Sequence, residues 1–401
     1  ILLPVAESAA QQCTLPSRIF LPTADEALVE QFGSSMDADG GYMVAGTSEN
    51  SSQQVYSGRV IVYKLGMDNQ WTEVAELTPS DPAKYLNFGS RVAIQGNTIA
   101  VVGREFDDEG RSRQKLYIFE KAIGAEWTSS VEEYVIEIPF SPLSGSQQAF
   151  GDFVIRRDEL VTTSYANGQA SLEIYHKSAG VFSLTQSIVM PVSSRTGADY
   201  NWIMTADDDI IAITTDQFEQ PDGSVGGAFI YVKTAELYST VPFSLRPTEQ
   251  RPSSWSGFGV AVAIHNSTVF VQGVRQASGP YSQSFYVFEK PAGGWADATQ
   301  PVLFTSPGYM QTSAQREAND NYLFSTGSGY QSIVCFKKPT GGWSAQANRF
   351  ELKDNAVTDR SLMGWQLKLD GNHLLVGCPD RSSWTVVGQE LIMGYHAPAD
   401  T

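Results

Sequence analysis

A sixteen-residue pattern occurs twice in this chain, in step throughout and identical at eight positions, and that duplication limits the possible folds more than any other feature. Residues 88–103 read Phe-Gly-Ser-Arg-Val-Ala-Ile-Gln-Gly-Asn-Thr-Ile-Ala-Val-Val-Gly, and residues 258–273 read Phe-Gly-Val-Ala-Val-Ala-Ile-His-Asn-Ser-Thr-Val-Phe-Val-Gln-Gly. Each is a β-branched run, a two-residue turn and a second β-branched run, the pattern of a hairpin. Weaker copies begin at Phe32, Phe150 and Met363, and two near Asp199 and Gln311 keep the spacing without the Phe-Gly pair. The seven starts lie 56, 62, 49, 59, 53 and 52 residues apart, a drifting tandem array.

Each unit continues in the same way. A third strand follows a variable loop, as at 59–63, 115–119, 171–175, 228–232, 284–288, 332–336 and 390–395. A short polar turn then leads to Trp71, Trp127, Phe182, Trp295 or Trp343 and a fourth strand. One aromatic recurring at one structural position predicts packing between units rather than a ring of sugar-stacking sites. No stretch keeps helical periodicity. Four antiparallel strands per unit predict an all-β fold, a seven-bladed β-propeller, in which ring closure removes most free sheet edges. The last unit lacks a fourth strand, while residues 18–25 resemble residues 74–81, a fourth strand with its exit loop. The N-terminal strand is therefore expected to complete the last blade. Residues 1–14 form an N-terminal extension, and residues 15–401 form one propeller domain.

The Phe-Gly start, the Val-x-Gly end of the second strand, the aromatic third strand and the Trp before the fourth resemble FG-GAP repeats, the units of integrin-α-like propellers. The resemblance spans roughly residues 15–396 and implies the propeller fold. It carries little about activity, because one fold hosts many. In the integrin type some first hairpins hold Asp-rich calcium loops. Here the equivalent turns are short, and only Asp37-Ala38-Asp39-Gly40-Gly41 and Asp207-Asp208-Asp209 are acidic. Both are read as solvated hairpin turns, since calcium wants six or more oxygens from a longer loop.

Charge narrows the partners. Forty-four acidic residues against 27 basic ones leave −17, so phosphate-directed binding to nucleic acid or anionic membrane is not expected. No apolar run reaches the roughly 18 residues of a membrane span. The sequence holds no nucleophile elbow, zinc-protease helix, phosphate loop or C-x-x-C pair, and His176, His265, His373 and His396 fall in different units. The chain is read as non-catalytic, with neither cofactor nor metal. Three cysteines permit at most one disulfide: Cys335 replaces a third-strand Val and is expected to be a buried thiol, while Cys13 and Cys378 share the closing blade. Sequons at Asn50 and Asn266, with a Gly-rich acidic composition, predict an extracellular or cell-surface glycoprotein, an organelle lumen being the alternative.

The units differ most in the connections from second to third strand and from fourth strand to the next unit. Strand alternation places both classes on one face of the disc. Variable loops on a rigid scaffold are the usual carriers of recognition. Tyr56, Phe106, Arg111, Phe218, Trp255, Arg275, Tyr281, Tyr309 and Trp384 are the candidate binding residues, because aromatics and Arg dominate interaction hot spots. The expected role is a binding or scaffold module for a protein partner or surface assembly, with a glycan-binding lectin as the alternative.

Overall fold

Phe88 shows why the Phe-Gly pair recurs. Its ring is fully buried and meets Tyr117 edge-on at 5.3 Å and 81°, and Phe258 meets Tyr286 at 5.3 Å and 83°. Burying one such side chain contributes about 2–3 kcal/mol, and the edge-to-face contact adds to it. The glycine that follows brings two backbones together. A Cβ on Gly46 would sit 2.0 Å from the carbonyl oxygen of Gly89, and one on Gly58 would sit 1.8 Å from that of Phe88. Gly226 stands 2.0 Å from the Phe258 oxygen by the same measure, and Gly377 stands 2.4 Å from that of Gly33. The motif is thus an inter-unit contact: Phe fills one unit while its backbone presses on glycines of the unit before.

The computed structural model describes residues 17–20, 33–47, 58–68, 70–82, 87–106, 112–138, 152–166, 169–191, 202–219, 225–247, 257–275, 282–297, 299–306, 316–327, 332–343, 348–352, 365–371, 373–378 and 391–396. Among them the regular elements are strands, arranged in seven antiparallel sheets. The sheets are blades of a propeller and are numbered here in chain order. The second blade is representative: Arg91–Gln95, Thr98–Phe106, Ser112–Glu120 and Tyr134–Ile138 pair in sequence from inner to outer strand. The inner strands are Ser35–Asp39, Arg91–Gln95, Phe153–Arg156, Ile203–Asp207, Gly257–His265, Arg316–Ala318 and Gln366–Asp370. Each touches the next, and the last touches the first, so they line a central channel.

The outer strand of the seventh blade comes from the start of the chain. Ser17–Phe20 pairs antiparallel with Leu391–His396, Arg18 opposite Met393 and Phe20 opposite Leu391. In the fourth blade the outer strand is split into Leu237–Tyr238 and Phe243–Leu245. Pro242 stands in the gap and has no N–H to give the ladder. The core lies between blades. Trp127, Phe182, Trp295 and Trp343 are buried there, as the recurring aromatic position predicts, Trp71 is half-buried against the same kind of cluster, and Cys335 is a buried free thiol. Cys13 lies outside the described residues.

Two glycine substitutions test the inter-blade contact. Neither glycine has a positive φ, so they differ only in space. Gly46→Ala should cost about 3 kcal/mol or more, because the clash is with backbone and cannot be relieved by a rotamer. Gly293→Ala, with nothing within 4 Å, should stay within about 0.5 kcal/mol in the same denaturant titration.

Candidate functional site: the central channel and the two faces

An inner strand has a neighbour on one side only, so its other backbone edge faces the channel. Unanswered N–H groups there would cost stability and invite other strands. Carboxylates from the preceding blade answer them. Asp37 accepts from Ile94 N at 2.8 Å, and Asp39 accepts from Gly96 N at 2.6 Å. Asp152 accepts from Met204 N at 2.9 Å, and Asp207 from Ser267 N at 3.1 Å. Glu317 accepts from the backbone of Leu369. Asp370 closes the circle, its two oxygens accepting from Gly40 N at 3.2 Å and Gly41 N at 2.8 Å.

The remaining seams use side chains. Arg91 pairs with Asp152 between the second and third blades. Asp320 accepts from Asn266 Nδ2 at 2.7 Å and lies 3.0 Å from His265 Nε2 between the fifth and sixth, where Arg316 also donates to Gln272 at 2.7 Å. Farther out, lysines near the ends of third strands repeat the device: Lys177 with Glu120 at 2.8 Å, Lys233 with Glu159 at 2.9 Å and Lys64 with Glu126 at 2.6 Å. The acidic segments read from sequence as solvated turns are therefore corrected. Asp37 lies within an inner strand and Asp39 and Asp207 end one beside its turn, and all three carboxylates are committed to the neighbouring blade.

The same groups line a cavity of about 460 Å³ in the channel. Its wall carries Arg91, Arg156, Arg316 and Lys368 against Asp37, Asp39, Asp152, Asp216 and Glu317. Lys368 Nζ lies 3.0 Å from Asp37 and 3.8 Å from Glu317. Burial pushes the Glu317 carboxyl up to about 7 against the pull of Lys368, with the Asp37 charge pushing the same way as burial. For Lys368 burial acts to lower the ammonium, but the attraction of Asp37 and Glu317 outweighs it and holds the group above its usual range. Burial also raises Asp216, another residue of the cavity wall. Among the described residues no group of three His, Cys, Asp or Glu is arranged to hold a metal ion.

The predicted binding residues fare differently. Phe218 is buried and packs edge-on against Phe229 at 5.1 Å, so it is core and not rim. Phe106 and Arg275 end second strands on the variable-loop side. Tyr56, Arg111, Trp255, Tyr281, Tyr309 and Trp384 lie outside the described residues, as does Asn50. Asn266 is exposed in a turn, with its amide already tied to Asp320. The short-turn face also carries more than expected: Met67, Ile123, Val181 and Leu237 stand exposed at or beside the third-to-outer turns of the first four blades. Sequence inspection passed over them because a single apolar residue in a polar turn carries no pattern.

Comparison with known proteins fits this geometry. Residues 71–119 match the FG-GAP repeat. The match takes in the outer strand of the first blade and the first three strands of the second, so the FG-GAP repeat straddles a seam. No curated protein matches the chain in sequence. Among solved structures, the β-propeller domain of the Trilobed protease from Pyrococcus furiosus, described as having an open velcro topology, gives a TM-score of 0.51 at 10% identity, over 91% of this chain and 95% of that one. The polysaccharide lyase Uly1 gives 0.51 at 11% identity, over 91% and 90%. At these identities the likeness is one of fold. It nonetheless corrects the reading of a non-catalytic chain: a lyase is built on this scaffold, so missing sequence motifs do not exclude chemistry here.

Removing a seam carboxylate should be costly. Asp152→Ala strips Met204 of its acceptor and takes the Asp152 carboxylate away from Arg91, and a loss of about 3 kcal/mol is expected from denaturant unfolding. Asp81→Ala, on an exposed turn, should stay within about 0.5 kcal/mol.

Proposed function

We propose that this chain is a recognition propeller: a ring of seven blades, closed by the N-terminal strand, that presents its variable-loop face to a protein partner or a surface assembly outside the cell. The observation that carries the reading is the unequal length of connections at the two ends of the blades. Inner and second strands are joined by tight turns, such as Asp39 to Tyr42 and Gln95 to Thr98. At the opposite end, second strands ending at Thr47 and Cys378 are joined to third strands starting only at Arg59 and Leu391. Outer strands ending at Leu77 and Leu352 reach the next inner strands only at Arg91 and Gln366. Long connections of differing sequence on an inter-stitched scaffold can change without disturbing the ring. Aromatic and Arg residues among them, flanked by Asp and Arg, supply buried area and directional charge.

Pull-down from an extracellular fraction, followed by titration of the recovered partner, tests the proposal. Trp384→Ala, Tyr281→Ala and Arg275→Ala should each weaken binding about tenfold or more, while Asn97→Ala and Gly293→Ala should leave it unchanged. If binding is lost instead through Met67→Ser and Ile123→Ser, the partner uses the apolar rim of the short-turn face and the assignment is wrong.

A further inference from the structure

The seventh blade is where this ring is least secured by chain continuity, since its outer strand is borrowed from Ser17–Phe20. At the centre of that blade's inner strand stands Lys368, with Glu317 of the sixth blade and Asp37 of the first within reach. Both carboxylates also hold main-chain N–H groups of a following blade, Glu317 that of Leu369 and Asp37 that of Ile94. One ammonium between two acids therefore ties four consecutive blades together.

One positive charge cannot neutralise two carboxylates that are mostly, though not wholly, withdrawn from water. When both are ionised the cluster keeps a net negative charge, which costs stability. Geometry decides which acid takes a proton. Asp37 is 3.0 Å from Nζ and accepts two main-chain N–H groups, from Ala38 and Ile94. Glu317 is 3.8 Å from Nζ. The surrounding charges are occupied elsewhere. Arg316, its strand neighbour, donates to Gln272, and His265 on the fifth blade lies by Asp320. On the seventh, Asp370 serves Gly40 and Gly41. Across the cavity Arg91 pairs with Asp152, Arg156 pairs with Asp207 and Asp208, Asp39 holds Gly96, and Asp216 adds only negative charge.

We propose that Glu317, Lys368 and Asp37 form a proton-operated brace across the closing seam of the ring, firm when Glu317 carries a proton and loosened when it ionises. The direction follows from linkage. Burial raises Glu317 from 4.5 to about 7, so its contribution to stability is complete below the unfolded value and is lost as pH climbs through the folded one. The ring is then best closed in mildly acidic surroundings.

Thermal unfolding of the full chain and of Glu317→Gln from pH 5 to pH 8.5 tests the brace. Glutamine imitates the protonated acid, so the two Tm values should agree near pH 5 and the variant should exceed the parent by a few degrees, about 2 °C or more, at pH 8. A difference independent of pH, or a variant less stable at pH 8, overturns the proposal. Lys368→Met gives a second reading: its loss of Tm should be greater at pH 8 than at pH 5, and the reverse order also overturns it. Infrared spectroscopy at pH 6 should show a carboxylic-acid band that Glu317→Gln lacks. The same band in both proteins places the proton elsewhere and refutes the assignment.

Discussion

A carboxylate accepting a backbone N–H from the next blade is the contact on which this propeller depends. A four-stranded blade leaves its inner strand with one unpaired edge, and a ring turns all such edges toward one narrow channel. Water could satisfy those groups but would not join one blade to another. Asp37, Asp39, Asp152, Asp207, Glu317 and Asp370 do both. Hydrogen bonds to ionised acceptors are shorter and stronger than neutral ones, which suits them to a position where one bond replaces part of a ladder.

This arrangement has an electrostatic consequence. Concentrating acids around a channel requires cations among them, and the wall supplies Arg91, Arg156 and Lys368, each paired. A chain of net charge −17 thus keeps several of its few basic residues in its middle. Where cations run short, at Glu317, burial and the Asp37 charge raise the affinity of the carboxyl for a proton. Hydrophobic burial between blades supplies the bulk of the stability, while the polar ring fixes how the blades register against one another.

Most of the fold was legible in the sequence. The duplicated hairpin, the third-strand aromatics and the likeness of residues 18–25 to 74–81 are local patterns, and they located the strands and the pairing of Ser17–Phe20 with the last blade. The polar ring was not legible. Asp37 and Ile94 are 57 residues apart, and Asp152 and Met204 are 52 apart, so each bond joins neighbouring repeats and resembles an ordinary turn acid within its own. Acids recurring inside strands predicted to be innermost were the available signal. Phe218 was misplaced because an aromatic near a strand end looks alike whether it folds inward or outward.

Backbone amide hydrogen exchange, resolved by residue, tests the account most directly. The amides of Gly40, Gly41, Ile94, Gly96, Met204, Ser267 and Leu369 have no strand neighbour on their side, yet each donates to a carboxylate. They are predicted to exchange as slowly as the ladder amides of the second and third strands, opening only with the whole ring. Exchange at the rate of a free sheet edge would show that the carboxylates merely decorate the channel and that the blades are held together by packing alone.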